Sequence, residues 1–486
     1  MPTKAKTNTK GGREKASRKL SATRRVTAQG KHGDKAHSPG VAGKKNPLGS
    51  RVLAQPVFAQ PQATADPTVF RVPHPSDDAA YKEIDKLNAE HKLFPLPFPA
   101  PRGGVEPTLT LADVMGGNVN AAHRINAGGQ LVFHATGDCG NTSGPASQNQ
   151  VADKMTADFV ETAANEVPQF ALLLGDVVYD FGEGKYYYDQ FYEPYRDYPA
   201  PILACAGNHD GMVSPEAHAK SLAAFLRNFC AEKVVVTPEA GGLSRTAQIQ
   251  PGVFFTFEAP FVRVLVLYSN TLEDPGVIAD SHVGKSQLQF LDAALKRVRS
   301  ENYQGALIVA DHHPPYTVAA HGWSVELLAQ IDKVCAANGI WPHAFLSGHA
   351  HNYQRFTRTR SADGTHIPYL VCGNGGHALA KLAKHGDTPM RAPQVIQAAS
   401  SSTDQVVLES YDDTHYGYLR IVVTQAQLRI EYHATTSDGS SRKSPSDYVT
   451  VDLATRQIAH FEAPDLGRPA AAATARAMFE RGRAQE

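Results

Sequence analysis

Cysteine is scarce: five residues in 486, an odd number, at positions 139, 205, 230, 335 and 372. None are clustered as thiolate metal sites require, which argues against an iron–sulfur cluster or a structural zinc. A disulfide framework is equally unexpected, and buried free thiols in a reducing compartment are the simplest reading. No run of 18 apolar residues occurs, so no transmembrane helix is expected. No apolar segment follows the basic N-terminal residues, and Arg24-Arg25 leads into a polar stretch, so neither a secretory nor a twin-arginine signal is read. These absences favour a cytoplasmic location, with secretion by an unrecognised route left open. Net charge is absent too, with 48 basic against 48 acidic residues, but the balance is uneven. Residues 1–50 carry 13 Lys and Arg against Glu14 and Asp34, and they contain no aromatic residue. Such a segment cannot bury a core and is expected to be disordered. It offers either a contact for nucleic acid or another polyanion, or a solvated arm with no dedicated partner.

The chain divides into a basic tail (1–50), a Pro-rich extension expected to wrap the body (51–128), a main body (129–465) and an Ala/Arg-rich C-terminal tail (466–486). Within the extension, Ser76 is placed to cap a short helix running to about His91, with Tyr81, Ile84 and Leu87 on one face. Pro95 to Pro101 is its stiffest stretch. In the body, Val151, Met155 and Phe159 recur every four residues and predict a helix, as do Leu288, Leu291 and Leu295 within 287–298. Tyr418 to Val423 and Leu428 to Tyr432 read as two late strands. The tyrosine-rich run 186–198 is read as loop packing in preference to a substrate entrance.

What is present in abundance is a series of five short motifs. In order they are Gly137-Asp-Cys-Gly140, Gly175-Asp-Val-Val-Tyr179, Gly207-Asn-His-Asp210, Val309-Ala-Asp-His312 and Gly348-His-Ala-His351. Each follows a short apolar run, beginning at Leu131, Phe170, Ile202, Ala306 and Ala344 in turn, and runs of this length read as buried strands. Ligands at the carboxyl ends of several strands converge on one crevice in open α/β sheets. Oxygen and imidazole donors suit Fe, Mn and Zn. Taken singly, an aspartate after glycine is often a turn residue and Tyr179 a packed aromatic; the ordered set points to metal binding.

The five motifs, across roughly Leu131 to His433, resemble those of the purple acid phosphatases, a branch of the calcineurin-like metallophosphoesterases. The resemblance implies an α/β fold, a four-layer α/β/β/α sandwich of two packed β-sheets flanked by helices. Most members of the wider superfamily begin with D-x-H, and here Gly140 stands two residues after Asp138. Tyr179 is placed to supply the missing ligand. By resemblance, Asp138, Tyr179, His351 and a bridging Asp176 hold the first metal, and Asp176, Asn208, His312 and His349 the second. A phenolate is a hard anionic donor, which favours Fe(III) at the Tyr179 position and a divalent Fe, Zn or Mn at the other.

The implied activity is hydrolysis of phosphate monoesters by a metal-bound hydroxide, with His209 protonating the leaving oxygen and His321 contacting phosphate. A runner-up keeps the metals but takes phosphodiesters or nucleotides. A third reading is a polyanion-binding protein acting through residues 1–50. Tyr353 and Arg355 are expected to be structural. His313 stays open between a packed and a catalytic imidazole, and His377 follows a glycine-rich turn expected at the rim. Oligomeric state has no sequence signal.

Overall fold

Alternation of period two sorts the apolar residues of the central strands into two cores, and this fixes the architecture. The computed structural model describes residues 78–160, 163–213, 220–382, 390–396, 403–435 and 444–459. The basic tail, the Ser76 cap, the first part of the extension and the C-terminal tail lie outside the described residues. The strands are β1 (Thr108–Thr110), β2 (Gln130–Thr136), β3 (Ala171–Leu174), β4 (Ile202–Cys205), β5 (Phe255–Ala259), β6 (Val262–Val266), β7 (Ala306–Ala310) and β8 (Ala344–Ser347). They continue with β9 (Tyr353–Thr359), β10 (His366–Cys372), β11 (Gln394–Ile396), β12 (Gln405–Asp412), β13 (Gly417–Thr424), β14 (Gln427–Ala434) and β15 (Asp447–Asp452). The helices are α1 (Asp78–Ala89), α2 (Leu111–Val114), α3 (Val119–Gly128), α4 (Ala146–Ala157), α5 (Asn208–Gly211), α6 (Ala223–Phe229), α7 (Ser286–Ser300) and α8 (Val325–Asn338).

A nine-stranded sheet runs β1-β5-β6-β7-β8-β10-β9-β12-β11, and a six-stranded sheet runs β15-β14-β13-β2-β3-β4. In the smaller sheet β2, β3 and β4 are parallel, and in the larger β6, β7 and β8 are parallel. Leu131, Phe133 and Ala135 of β2 share one buried cluster with Val264 and Val266 of β6 and Ile308 and Ala310 of β7. That cluster is the core between the sheets. The intervening residues Ala171 and Leu173 of β3, with Leu307 and Val309 of β7, fall in a second cluster with Val151 and Met155 of α4, Leu291 and Leu295 of α7, and Leu327 and Ile331 of α8. Two sheets flanked by helices are therefore the expected sandwich, and strands covered on both faces account for their near-continuous apolar runs.

The helices expected around Val151 and Leu291 are α4 and α7, and the two late strands are β13 and β14, which close the smaller sheet onto β2. Part of the extension does more than wrap. Its residues 108–110 form β1, an edge strand parallel to β5, and Leu109 and Leu111 enter the inter-sheet core. The Pro-rich stretch is tied down by Asn270, whose side chain accepts from the Leu96 N–H at 2.7 Å and donates to its carbonyl at 2.9 Å. Among the described residues, no helix is long and apolar enough to cross a membrane.

Phe133 is fully buried in the inter-sheet core and stacks on Phe170 with ring centroids 4.5 Å apart. Phe133→Ala is expected to cost about 3–5 kcal/mol of stability through lost transfer energy and a cavity. Denaturant unfolding of the two proteins checks this, and a midpoint shift below about 1 kcal/mol equivalent would contradict the assignment of this core.

Candidate metal centre

All five motifs lie at the carboxyl ends of parallel strands: Asp138 after β2, Asp176 after β3, Asn208 after β4, His312 after β7 and His349 after β8. Backbone bonds staple these loops to one another, from Asp138 N–H to Gly175 O (2.9 Å), from Cys139 N–H to Asp176 O (3.1 Å) and from Gly348 N–H to His312 O (3.0 Å). Turning the side chains inward requires left-handed backbone at four non-glycine residues, with φ of 55° at Asp138, 52° at Asp176, 69° at His349 and 49° at His351. Each costs about 1–2 kcal/mol. Strain of this kind collects at functional sites. Close approach also demands glycine at 207, where a Cβ would collide with the Asp176 carboxylate and backbone nitrogen.

One group of donors surrounds His312. Its Nδ1 lies 2.8 Å from the Leu174 carbonyl, which can only accept, so the Nδ1–H is spent there and Nε2 faces the cleft. Nε2 lies 2.9 Å from Asn208 Oδ1, 3.2 Å from His349 Nδ1 and 3.2 Å from Asp176 Oδ2. The Asn208 amide nitrogen donates to Glu273 Oε2 at 3.0 Å, which turns its oxygen inward. Asp176 Oδ2 is buried and accepts no hydrogen bond. Four potential ligand atoms thus meet in one buried space, a donor set of one carboxylate, one amide oxygen and two imidazoles that suits a cation. Asp176, His312 and His349 form a buried group whose ligand atoms lie within 4.8 Å of one another. Burial works to lower the His312 pKa, but the Asp176 carboxylate outweighs it and pushes the imidazole up to about 10. The pocket therefore draws positive charge in whatever form is offered.

A second group adjoins it. Asp138 Oδ1 lies 3.0 Å from the Tyr179 hydroxyl and 3.4 Å from His351 Nε2, and the hydroxyl lies 3.2 Å from the same nitrogen. The other carboxylate oxygen of Asp138 accepts the His349 N–H at 2.7 Å, joining first motif to last. Burial is the main cause pushing the Asp138 carboxyl up to about 7, with His312 opposing and Asp176 adding to it. Tyr179 is fixed by Gln190, which accepts its N–H at 2.9 Å and donates to its carbonyl at 2.8 Å. Its ring stacks on His377 with centroids 3.9 Å apart. The seven residues expected as ligands are thus brought together as two adjacent donor sets, with Asp176 beside both His312 and the Asp138–Tyr179 pair.

His209 stands apart from these sets, although Nε2 is 3.9 Å from Asp176 Oδ2. Nδ1–H donates to the Asp180 carbonyl at 2.8 Å. Burial lowers its pKa, yet the Asp176, Glu273 and Asp180 carboxylates more than compensate, and the net shift is upward. His321 is a quarter exposed, with its ring 4.5 Å from His349 and Nδ1 3.6 Å from Glu273 Oε1. His313 is the packed alternative: Nδ1 meets Ser269 Oγ at 2.8 Å and Nε2 the Leu272 carbonyl at 2.7 Å. Arg355 and Tyr353 both bind Asp447, a structural tie. Tyr187, Tyr192, Tyr195 and Tyr198 are buried, so the tyrosine run is largely packing. Asp210 is a clip, accepting the N–H groups of Gly207 (2.9 Å) and Val177 (3.2 Å). Glu273 and Asp274, absent from every motif, also reach the site. Glu273 forms a second cation-capable group with His321 and His349. Asp274 Oδ1 lies 3.9 Å from His349 Nε2. Their only sequence signal is a pair of adjacent carboxyls before Pro275.

Residues 131–353 match the family described as Calcineurin-like phosphoesterase, and every motif falls inside that span. No curated protein matches the chain. Among solved structures the chain is similar to GAP50, the anchor in the inner membrane complex of Plasmodium, at 15% identity and a TM-score of 0.44, covering 68% of this chain and 90% of that one. It is similar to PhoD at 13% identity and a TM-score of 0.39, covering 68% and 71%. A dimetal phosphatase from Danio rerio matches at 12% identity and a TM-score of 0.32, covering 66% and 99%.

Changing His312 or Asn208 to Ala is expected to lower metal content by about one ion per chain, whereas His209→Ala should keep the wild-type content at saturating metal, since its Nε2 lies 3.9 Å from Asp176 Oδ2 and its Nδ1 is held by the Asp180 carbonyl. Elemental analysis after equilibration with metal decides the matter. Equal loss in His209→Ala and His312→Ala would place His209 among the ligands and overturn this division.

Proposed function

We propose that this chain, whose residues 131–353 match the family described as Calcineurin-like phosphoesterase, hydrolyses phosphate monoesters at a dinuclear metal centre of the purple acid phosphatase type. The observation that carries the reading is the pair of adjacent donor sets, Asp176 with Asn208, His312 and His349 on one side and Asp138 with Tyr179 and His351 on the other. Asp138, Tyr179 and His351 would hold one ion, Asn208, His312 and His349 the other, and Asp176 would serve both. When bound, two such cations supply Lewis-acid stabilisation of charge on the phosphoryl oxygens and a nucleophilic water near neutral pH.

The remaining work falls to side chains. His209, buried and with its pKa raised, holds a proton at Nε2 for the departing oxygen, a role worth about 10²–10⁴-fold. His321, at the exposed edge beside His349, is placed to meet a phosphoryl oxygen. The phenol of Tyr179 supports Fe(III) in its position, because a hard, highly charged ion best sustains a phenolate; the other set, with an amide oxygen and two imidazoles, suits divalent Fe, Zn or Mn. Five free, buried cysteines support a reducing compartment. The basic segment 1–50 is proposed as a polyanion contact, whose loss on truncation should flatten the salt dependence of such binding.

Two measurements test the main reading. Hydrolysis of nitrophenyl phosphate should exceed that of the bis ester, and the reverse order would favour a phosphodiesterase. The oxidised, iron-loaded protein should show a broad visible absorption that disappears in Tyr179→Phe. A colourless protein, fully active with Zn or Mn alone, would sink the Fe(III) assignment while leaving the phosphoesterase domain in place.

A further inference from the structure

Tyr81 lies on α1, outside the span 131–353, yet it reaches the centre of the site. Its hydroxyl donates to Glu273 Oε2 at 2.9 Å and lies 3.0 Å from His209 Nε2. Its ring stacks on the His209 imidazole, with centroids 4.6 Å apart and planes 23° from parallel. Tyr179 packs against the same imidazole, with centroids 4.1 Å apart. The imidazole therefore has a tyrosine ring stacked on it and a tyrosine hydroxyl within hydrogen-bond distance of Nε2. With its own hydrogen given to Glu273, the Tyr81 oxygen is left to accept from a protonated Nε2, so the hydroxyl holds that nitrogen in place until a substrate oxygen replaces it.

Two further contacts make this more than incidental packing. Glu273 Oε2 accepts from Asn208 Nδ2 as well as from Tyr81, so one carboxylate oxygen orients both the amide at the metal pocket and the tyrosine against His209. The Tyr81 ring also meets Phe181 edge-on at 5.9 Å, and Phe181 adjoins Asp180, whose carbonyl holds His209 Nδ1. Ile84 of α1 packs with Phe181 and Met212 in the same small cluster, which anchors the helix beside the loop it braces. The imidazole is thus fixed at Nδ1 by the Asp180 carbonyl, at Nε2 by the Tyr81 hydroxyl and on its face by the Tyr81 ring, groups that lean on one another.

Resting on the hydrolase reading above, we propose that Tyr81 is a positioning residue for the proton donor His209, acting with Glu273, and that helix α1 of the extension is part of the active site. Tyr81 touches neither metal pocket. It acts through His209, so its effect should appear only where His209 matters.

The test uses the full chain loaded with metal. Tyr81→Phe keeps the stack but removes the hydroxyl, and Tyr81→Ala removes both. For an alkyl phosphate, whose leaving oxygen needs a proton, kcat should fall about 3–10-fold in the first variant and about 10–100-fold in the second, within the range of general acid catalysis. For nitrophenyl phosphate, a good leaving group, the fall should stay below about 3-fold, with metal content and KM unchanged. In a His209→Ala background, Tyr81→Phe should cost nothing more, since two residues acting through one step are not additive. Equal losses on both esters, an additive loss in the His209→Ala background, or a gain in kcat/KM as expected of an obstructing side chain would each overturn the proposal. A metal-loaded wild-type protein that hydrolyses neither ester overturns the hydrolase reading and this proposal with it. An active wild type with unchanged Tyr81 variants overturns the proposal alone.

Discussion

The site is organised by a shortage of hydrogens. Asp176 Oδ2, Asn208 Oδ1, His312 Nε2 and His349 Nδ1 face one another inside a buried cleft, and two of the hydrogens nearest to them are committed elsewhere. Leu174 takes the His312 Nδ1–H and Glu273 an amide hydrogen of Asn208. Buried lone pairs without donors are costly, by about 1–3 kcal/mol each and more for a charged group. A fold that assembles them so tightly favours something positive among them, a proton or a metal ion.

The sandwich makes that assembly affordable. Its two sheets present parallel strands whose carboxyl ends reach one cleft, so that loops far apart in sequence meet over a short distance. The buried strands β3, β7 and β8, with β2 buried beyond Gln130, hold the loop bases still, and the left-handed turns at Asp138, Asp176, His349 and His351 redirect the side chains from the strand axis into the cleft. A flexible support would relax these turns and separate the donors. Rigid strands convert a local backbone penalty into fixed ligand geometry.

Much of this is legible in the sequence because the same residues carry two signals at once. Asp138, Asp176, Asn208, His312, His349 and His351 stand next to apolar runs that can only be strands, so their convergence follows from topology. Helices α4 and α7 were readable from apolar spacing, and the two late strands from their composition. Glu273, Asp274 and the role of Tyr81 were not, for a physical reason. They act through contacts between segments distant in sequence, Tyr81 to His209 across 128 residues and Tyr81 to Glu273 across 192, with no local pattern to mark them. The edge strand β1 was hidden likewise, since three residues in a Pro-rich extension carry no usable periodicity.

Carboxyl chemistry around the cleft follows the same logic. Burial is the first cause pushing Asp138 and Asp210 up to about 7 and Asp311 up to about 8, while Asp176 alone is held low against its own burial, chiefly by His312. Without cations, the Asp176 carboxylate favours a proton on His312, and burial favours the protonated form of Asp138, Asp210 and Asp311. Cations entering the donor sets take over that role, and the protons on ligating groups must leave. Acid therefore competes with metal for one set of lone pairs, and the lower the pH, the more of the binding energy goes into displacing protons. Asp210 and Asp311 lie outside the ligand sets and can keep theirs, Asp210 clipping the Gly207 and Val177 backbone and Asp311 accepting from Ser347 at 2.8 Å. The fold thus separates carboxylates that must give up protons to bind metal from carboxyls that hold the loops in place.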